Sequence, residues 1–151
     1  MLNKFFQPFD KDEKKEINSI NNDLYNLIYE IIIADHIITP DEIELSAELI
    51  EFYFQIPKNT NKEEFQKLID NQHFNTDLSQ YAMRLKTSLS YEQRMDIILI
   101  CWQVLMVDEN EDQLETSTVR TISTLLGLED KDFILIRNSC LLYTSPSPRD
   151  H

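Results

Sequence analysis

The chain has 151 residues, with 27 Asp and Glu against 14 Lys and Arg for a net charge of −13, 42% apolar residues and a single glycine. That length suits one domain able to bury about 68–70% of its unfolded surface, and the composition is that of a globular protein. So little glycine argues against a β-sandwich or barrel and removes any Gly-rich phosphate loop, while the excess acid disfavours nucleic acid and anionic membrane as partners.

Residues 1–11 place Phe5, Phe6 and Phe9 around Pro8 with no sustained period, and read as an N-terminal arm that either docks a partner or covers the core. Met1–Asp10 lacks the basic and apolar regions of a secretory signal. From Asp12 the pattern turns helical: Ile17, Ile20, Leu24, Leu27, Ile28, Ile31 and Ile32 recur at three- and four-residue steps, predicting a first helix to about Asp35. Thr39-Pro40-Asp41-Glu42 carries a capping-box start with proline at the first helical position. The second helix it opens ends before Pro57, whose ring disfavours a helical Ile56.

Thr60-Asn61-Lys62-Glu63 reads as another capping box opening a short third helix, and Asp77–Ser88 fits a fourth. Ser90-Tyr91-Glu92-Gln93 opens the fifth, whose residues from Met95 to Met106 are apolar nearly all round, the mark of a central buried helix. The nearly unbroken apolar run Ile97–Val107 is too short to span a bilayer, so direct membrane insertion is not expected. Asp112-Gln113-Leu114-Glu115 opens a sixth helix that stops at Gly127, and Phe133, Ile134 and Ile136 mark a short seventh. The expected fold is all-α: a single compact bundle of about seven helices over residues 12–138, with no strand.

Residues 139–151 read differently. Cys140–Asp150 has no helical period, Pro146 and Pro148 forbid a continuing helix, and the string resembles one reading frame of a sequencing-library adapter. It is read as a non-native or disordered tail, with the natural sequence breaking off near Ser139. Its removal leaves the charge at −13, since Arg149 and Asp150 cancel, and leaves Cys101 as the one cysteine, which fits a reducing cytoplasm.

The most specific feature is internal. Asp35 and Glu42 lie between helices one and two, Asp108 and Glu115 between helices five and six, and both pairs are separated by 73 positions. Each copy reads long apolar helix, Asp, short turn, capping residue, Glu, second helix, so the long helices form two hairpin units in a pseudo-repeat. Asp35, Glu42, Asp108 and Glu115 could hold a hard divalent cation such as Ca²⁺, Mn²⁺ or Mg²⁺ by oxygen ligands, with Asp41 and Asp112 outside them. The same glutamates stand where a capping box wants them, so pure architecture is the competing reading. A Ca²⁺ EF-hand is excluded, because Gln113 and Val119 replace its glycine and bidentate glutamate.

Ala34-Asp35-His36-Ile37 leading to Glu42, its echo at Val107–Glu115, and the closing Leu126-Gly127-Leu128 with Asp132-Phe133 and Ile136-Arg137 resemble the TerB family. This helical domain is named for bacterial tellurite resistance, and the likeness spans about residues 15–138. The family's motif glycine is replaced by His36 in the first copy and Glu109 in the second, and Glu111 stands where an apolar residue would plug the turn. The resemblance implies a bacterial protein linked to tellurite or envelope stress and bearing acidic, cation-binding surfaces.

Cys101 among Ile100, Trp102 and Leu105 reads as a core thiol, and Trp102 with Met95 and Met106 as core rather than a ligand groove. His36 and His73 lack zinc-ligand spacing, and nothing marks a nucleophile, so no enzyme is expected. The function expected is a non-enzymatic binding or adaptor module with a protein partner. The alternative is a metal-independent interaction scaffold using the aromatic arm and an apolar groove.

Overall fold

A computed structural model describes the backbone of residues 11–34, 38–71, 78–106 and 115–144, and the side chains of 19–34, 38–71, 78–106 and 118–139. These residues form seven α-helices: α1 (Lys11–Ile32), α2 (Pro40–Phe54), α3 (Lys58–Asp70), α4 (Leu78–Ser88), α5 (Tyr91–Leu105), α6 (Glu115–Leu125) and α7 (Asp130–Thr144). No strand occurs among them.

Local chemistry sets most of the ends. Thr39 Oγ1 accepts the Glu42 N–H at 3.2 Å while Glu42 Oε1 accepts the Thr39 N–H at 2.9 Å, closing the capping box that starts α2. Ser90 and Gln93 close the same box at α5, at 3.1 and 3.0 Å. The C-terminus of α6 is a Schellman motif: Gly127 turns left-handed at φ 80°, its N–H reaches the Thr124 carbonyl, and the Leu128 N–H reaches that of Ser123. A side chain at Gly127 would be strained by that φ and would also meet the Lys86 side chain at 2.9 Å.

Two boundaries differ from those expected. α3 starts at Lys58 with Pro57 at its N-cap and no side-chain cap, so Thr60–Glu63 lies inside the helix. The Asn61 N–H already bonds back to the Pro57 carbonyl at 3.1 Å. α7 runs to Thr144, past the boundary drawn at residue 139, and stops short of Pro146, before which helical geometry is disfavoured.

α1 and α5 form the centre. α1 packs on α3, α4, α5 and α6, and α5 packs on α1, α2, α4, α6 and α7. Leu24, Leu27, Ile28, Ile31 and Ile32 of α1 meet Ile97, Ile98, Ile100, Cys101 and Val104 of α5 in one buried cluster. In the second half α5 and α6 pack directly on each other, whereas in the first half α1 and α2 are tied together through α3 and α5.

The repeat extends one helix further than the two corners. At the 73-residue spacing, Ile32 and Leu105 end α1 and α5, and α3 overlays α7. Tyr25 meets Phe65 edge-on at 5.5 Å between α1 and α3, and Trp102 meets Phe133 at 6.0 Å between α5 and α7. Both second helices are followed by a left-handed residue, Gln55 and Gly127.

One buried side chain joins three helices. Asn61 of α3 is fully buried; its Nδ2 donates to the carbonyls of Ala47 at 3.0 Å and Ile56 at 2.9 Å, and its Oδ1 accepts the Tyr25 hydroxyl. The residue that looked like part of a cap is an internal staple between α1, α2 and the α2–α3 turn. Outside it, Lys58 pairs with Glu44 and Glu48, and Lys62 with Glu44, in a half-exposed network of small individual worth.

Asn61→Ala strands one buried hydroxyl and two carbonyls, so we expect a loss of about 2–4 kcal/mol in urea unfolding. Lys62→Ala on the same helix should change stability by no more than about 0.5 kcal/mol.

Candidate functional site: the acidic corners

The first corner is built by the end of α1 and the start of α2. Ile38 is buried and anchors the incoming chain, and Pro40 presets the first turn of α2. Asp41 and Glu42 follow in that turn, where negative charge complements the helix dipole. Their environments differ: Asp41 is exposed, while Glu42 is fully buried with Oε1 committed to the Thr39 N–H. Glu30, in the last turns of α1, is also buried, as is Asp23 earlier in the same helix.

Of the residues singled out in the sequence, the structure therefore places Glu42 and Asp41. Glu115 is the first described residue of α6, whereas Glu42 is the third residue of α2, and the Glu115 side chain lies outside the described set. Asp35, Asp108 and Asp112 lie outside the described residues, as do His36, His73, Glu109 and Glu111. Among the described residues no group of three or more His, Cys, Asp or Glu side chains is gathered closely enough to hold a metal ion. Glu42 by itself is a helix-capping acid, and any cation at this corner would need Asp35 and the second corner's carboxylates.

The other candidates fall where core residues belong. Cys101 is fully buried, and burial pushes its thiol well above its ordinary pKa, away from the thiolate form. Trp102 and Met106 are buried and Met95 packs against them. No helix among the described residues is long and apolar enough to cross a membrane.

Two polar features were not legible as sites. Asp23 of α1 is buried and is gripped by Arg84 of α4 through paired 2.9 Å contacts, Nε to Oδ2 and Nη2 to Oδ1. The Arg84 side chain is 49% exposed, and concavities of about 380 and 490 Å³ open on either side of this pair, the size of small-molecule sites. Asp96 of α5 is the opposite case: no basic side chain among the described residues pairs with it. Burial, and secondarily the charge of Glu92, raise its carboxyl to about 6. An acid standing at the start of the apolar run of α5, one residue after Met95, was the available signal, and the apolarity around it hid it.

The raised pKa means that the fold favours the neutral form of Asp96, so the carboxylate costs stability above pH 6 and nothing below the unfolded-state value. Asp96→Asn should therefore stabilise the protein at pH 7.5 by on the order of 1 kcal/mol after solvent screening, with the gain fading as the pH falls towards about 4. Paired thermal melts across that range check it.

The all-helical arrangement of the described residues has a counterpart among known families. The description of the family Tellurite resistance protein TerB matches residues 21–138, from the second half of α1 to within α7. No curated protein and no solved structure matches the chain. The match covers most of the chain and all of the repeat's second, third, fifth and sixth helices: this protein belongs to the TerB family.

Proposed function

We propose that the protein is a non-enzymatic binding or adaptor module of a bacterial cytoplasm, serving tellurite or envelope stress, in which the acidic corners take up a divalent cation. The ligands in this reading are Asp35 and Glu42 from the first corner and Asp108 and Glu115 from the second, with Asp41 and Asp112 outside them; Ca²⁺, Mn²⁺ or Mg²⁺ would be held by carboxylate oxygens. The observation that carries it is the recurrence of the same Asp-to-Glu spacing in the sequence, with Glu42 in the first turn of α2 and Glu115 at the start of the described part of α6. Capping needs only the glutamate. The repeated aspartate seven residues earlier is the part that capping does not require. The family match supports a tellurite-resistance-type domain, and the net charge of −13 favours cations and basic protein surfaces over nucleic acid.

A titration of the melting temperature with Ca²⁺ and with Mn²⁺ tests this reading. A cation at 100 times its dissociation constant stabilises by about 2.7 kcal/mol when only the folded state binds. The expected result is a saturating rise that disappears in the double variant Asp35→Asn/Asp108→Asn. A flat response, or the same rise in the variant, would leave the corners as capping architecture and favour the metal-independent scaffold. Deleting residues 1–11 would then decide whether the Phe5, Phe6 and Phe9 arm carries the interaction.

A further inference from the structure

α3 and α4 both pack on α1 and do not pack on each other. Between them opens the hollow of about 490 Å³, with α1 as its floor, a volume that suits a small molecule. That floor is polar. Asn22, Tyr25 and Asn26 line it, whereas the residues 73 positions on, Met95, Ile98 and Leu99 of α5, are all apolar. The repeat therefore does not require polar groups at these places, and the first half carries them at a desolvation cost.

The Tyr25 hydroxyl is matched by Asn61. Asn26 is matched only by half: it is 3% exposed, its Nδ2 donates to the Asn22 carbonyl at 2.8 Å, and its Oδ1 is buried with no hydrogen-bond partner. The torsion that aims an amide group is soft, so a modest turn brings Oδ1 into the hollow that Asn26 already lines. The walls carry both signs of charge. α3 brings Glu64 and Lys67, paired at 3.2 Å with the Lys67 side chain 68% exposed. α4 brings the buried Tyr81 and Arg84, the latter held in place by Asp23. The charge of Glu64 is felt at the floor: burial first, and that charge second, push the Tyr25 hydroxyl up to about 12. An exposed pair such as Glu64–Lys67 is worth little, so either member can exchange its partner at small cost. A floor acceptor lacking a donor, a carboxylate acting on that floor and two cations on the walls are complementary to a molecule with a positive donor at one end and an acid at the other.

We propose that the hollow between α3 and α4 binds a free α-amino acid. Its ammonium donates to Asn26 Oδ1 and faces Glu64, its carboxylate meets Lys67 and Arg84, and its side chain lies against Tyr81 and Leu68. Binding exchanges the Glu64–Lys67 pair for two pairs with the ligand, so neither charge is left uncompensated. The site goes beyond the adaptor reading and shares no residue with the acidic corners, so a flat metal titration leaves it standing.

The probes are the common L-amino acids, screened one by one against the full ¹⁵N-labelled chain. Each that binds is then titrated beside its decarboxylated amine and its deaminated acid. The expected result is saturable shifts centred on Asn22, Asn26, Leu68 and Tyr81, with the amine and the acid each bound about tenfold or more weaker than the amino acid. Asn26→Leu, which installs the residue that α5 carries at the equivalent place, should keep the fold and weaken binding about tenfold. Lys67→Glu, at an exposed position, should weaken it several-fold and covers the case in which Asn26→Leu does not fold. Absence of saturable shifts with every amino acid would mean that ordered water alone completes Asn26, and would overturn the proposal. So would equal binding of the amine or the acid, or binding unaffected by both variants.

Discussion

The contact between α1 and α5 positions everything else, because each of the other five helices packs on one of them or on both. Two helices at the centre of a small bundle must be buried on nearly every side, and from Asp23 to Ile32 every residue of α1 is buried. That run includes Asp23, Asn26 and Glu30, polar groups whose burial costs free energy unless they are matched. α1 therefore constrains its neighbours chemically as well as sterically: α4 must bring Arg84 to Asp23, and α3 must bring Asn61 to Tyr25. α5 meets the same demand mainly with apolar residues from Ile97 onward, and Asp96 stands at the edge of that run with its carboxyl raised by burial.

The corners show how an acidic residue can have a local job and still be available for another. Glu42 completes a hydrogen-bonded box with Thr39 and would be selected for that alone. Asp41 and Glu42 lie in the first turn of α2, where the dipole favours negative charge whether or not a cation is present. Family membership supplies a fold and a phenotype label; it does not by itself convert a capping motif into a ligand set.

The helices themselves were legible, since local chemistry decides them. The boxes at Thr39 and Ser90 and the stop at Gly127 involve residues at most a few positions apart, and each appears as the sequence suggests. Asn61 was misread because its partners are Tyr25, 36 residues away, and Ala47, 14 away; sequence spacing carries no trace of such a contact. Asp23 was not singled out, because its partner Arg84 lies 61 residues further on. The similarity of α3 to α7 was also hidden, since the two helices keep their length and place while exchanging nearly every side chain.

The way the halves interlock has a further consequence. α2 belongs to the first half but rests on α5, and α4 rests on α1 yet also reaches α6. Separating the chain between α3 and α4 would leave α1 without three of its four neighbours and α2 without one of its two. Neither half retains a closed hydrophobic interior, so the repeat is a duplication of pattern without being a duplication of folding unit. Unfolding is then all-or-none across the bundle, with no half surviving as an intermediate, and the two halves, if expressed as separate pieces, would acquire structure only on meeting each other.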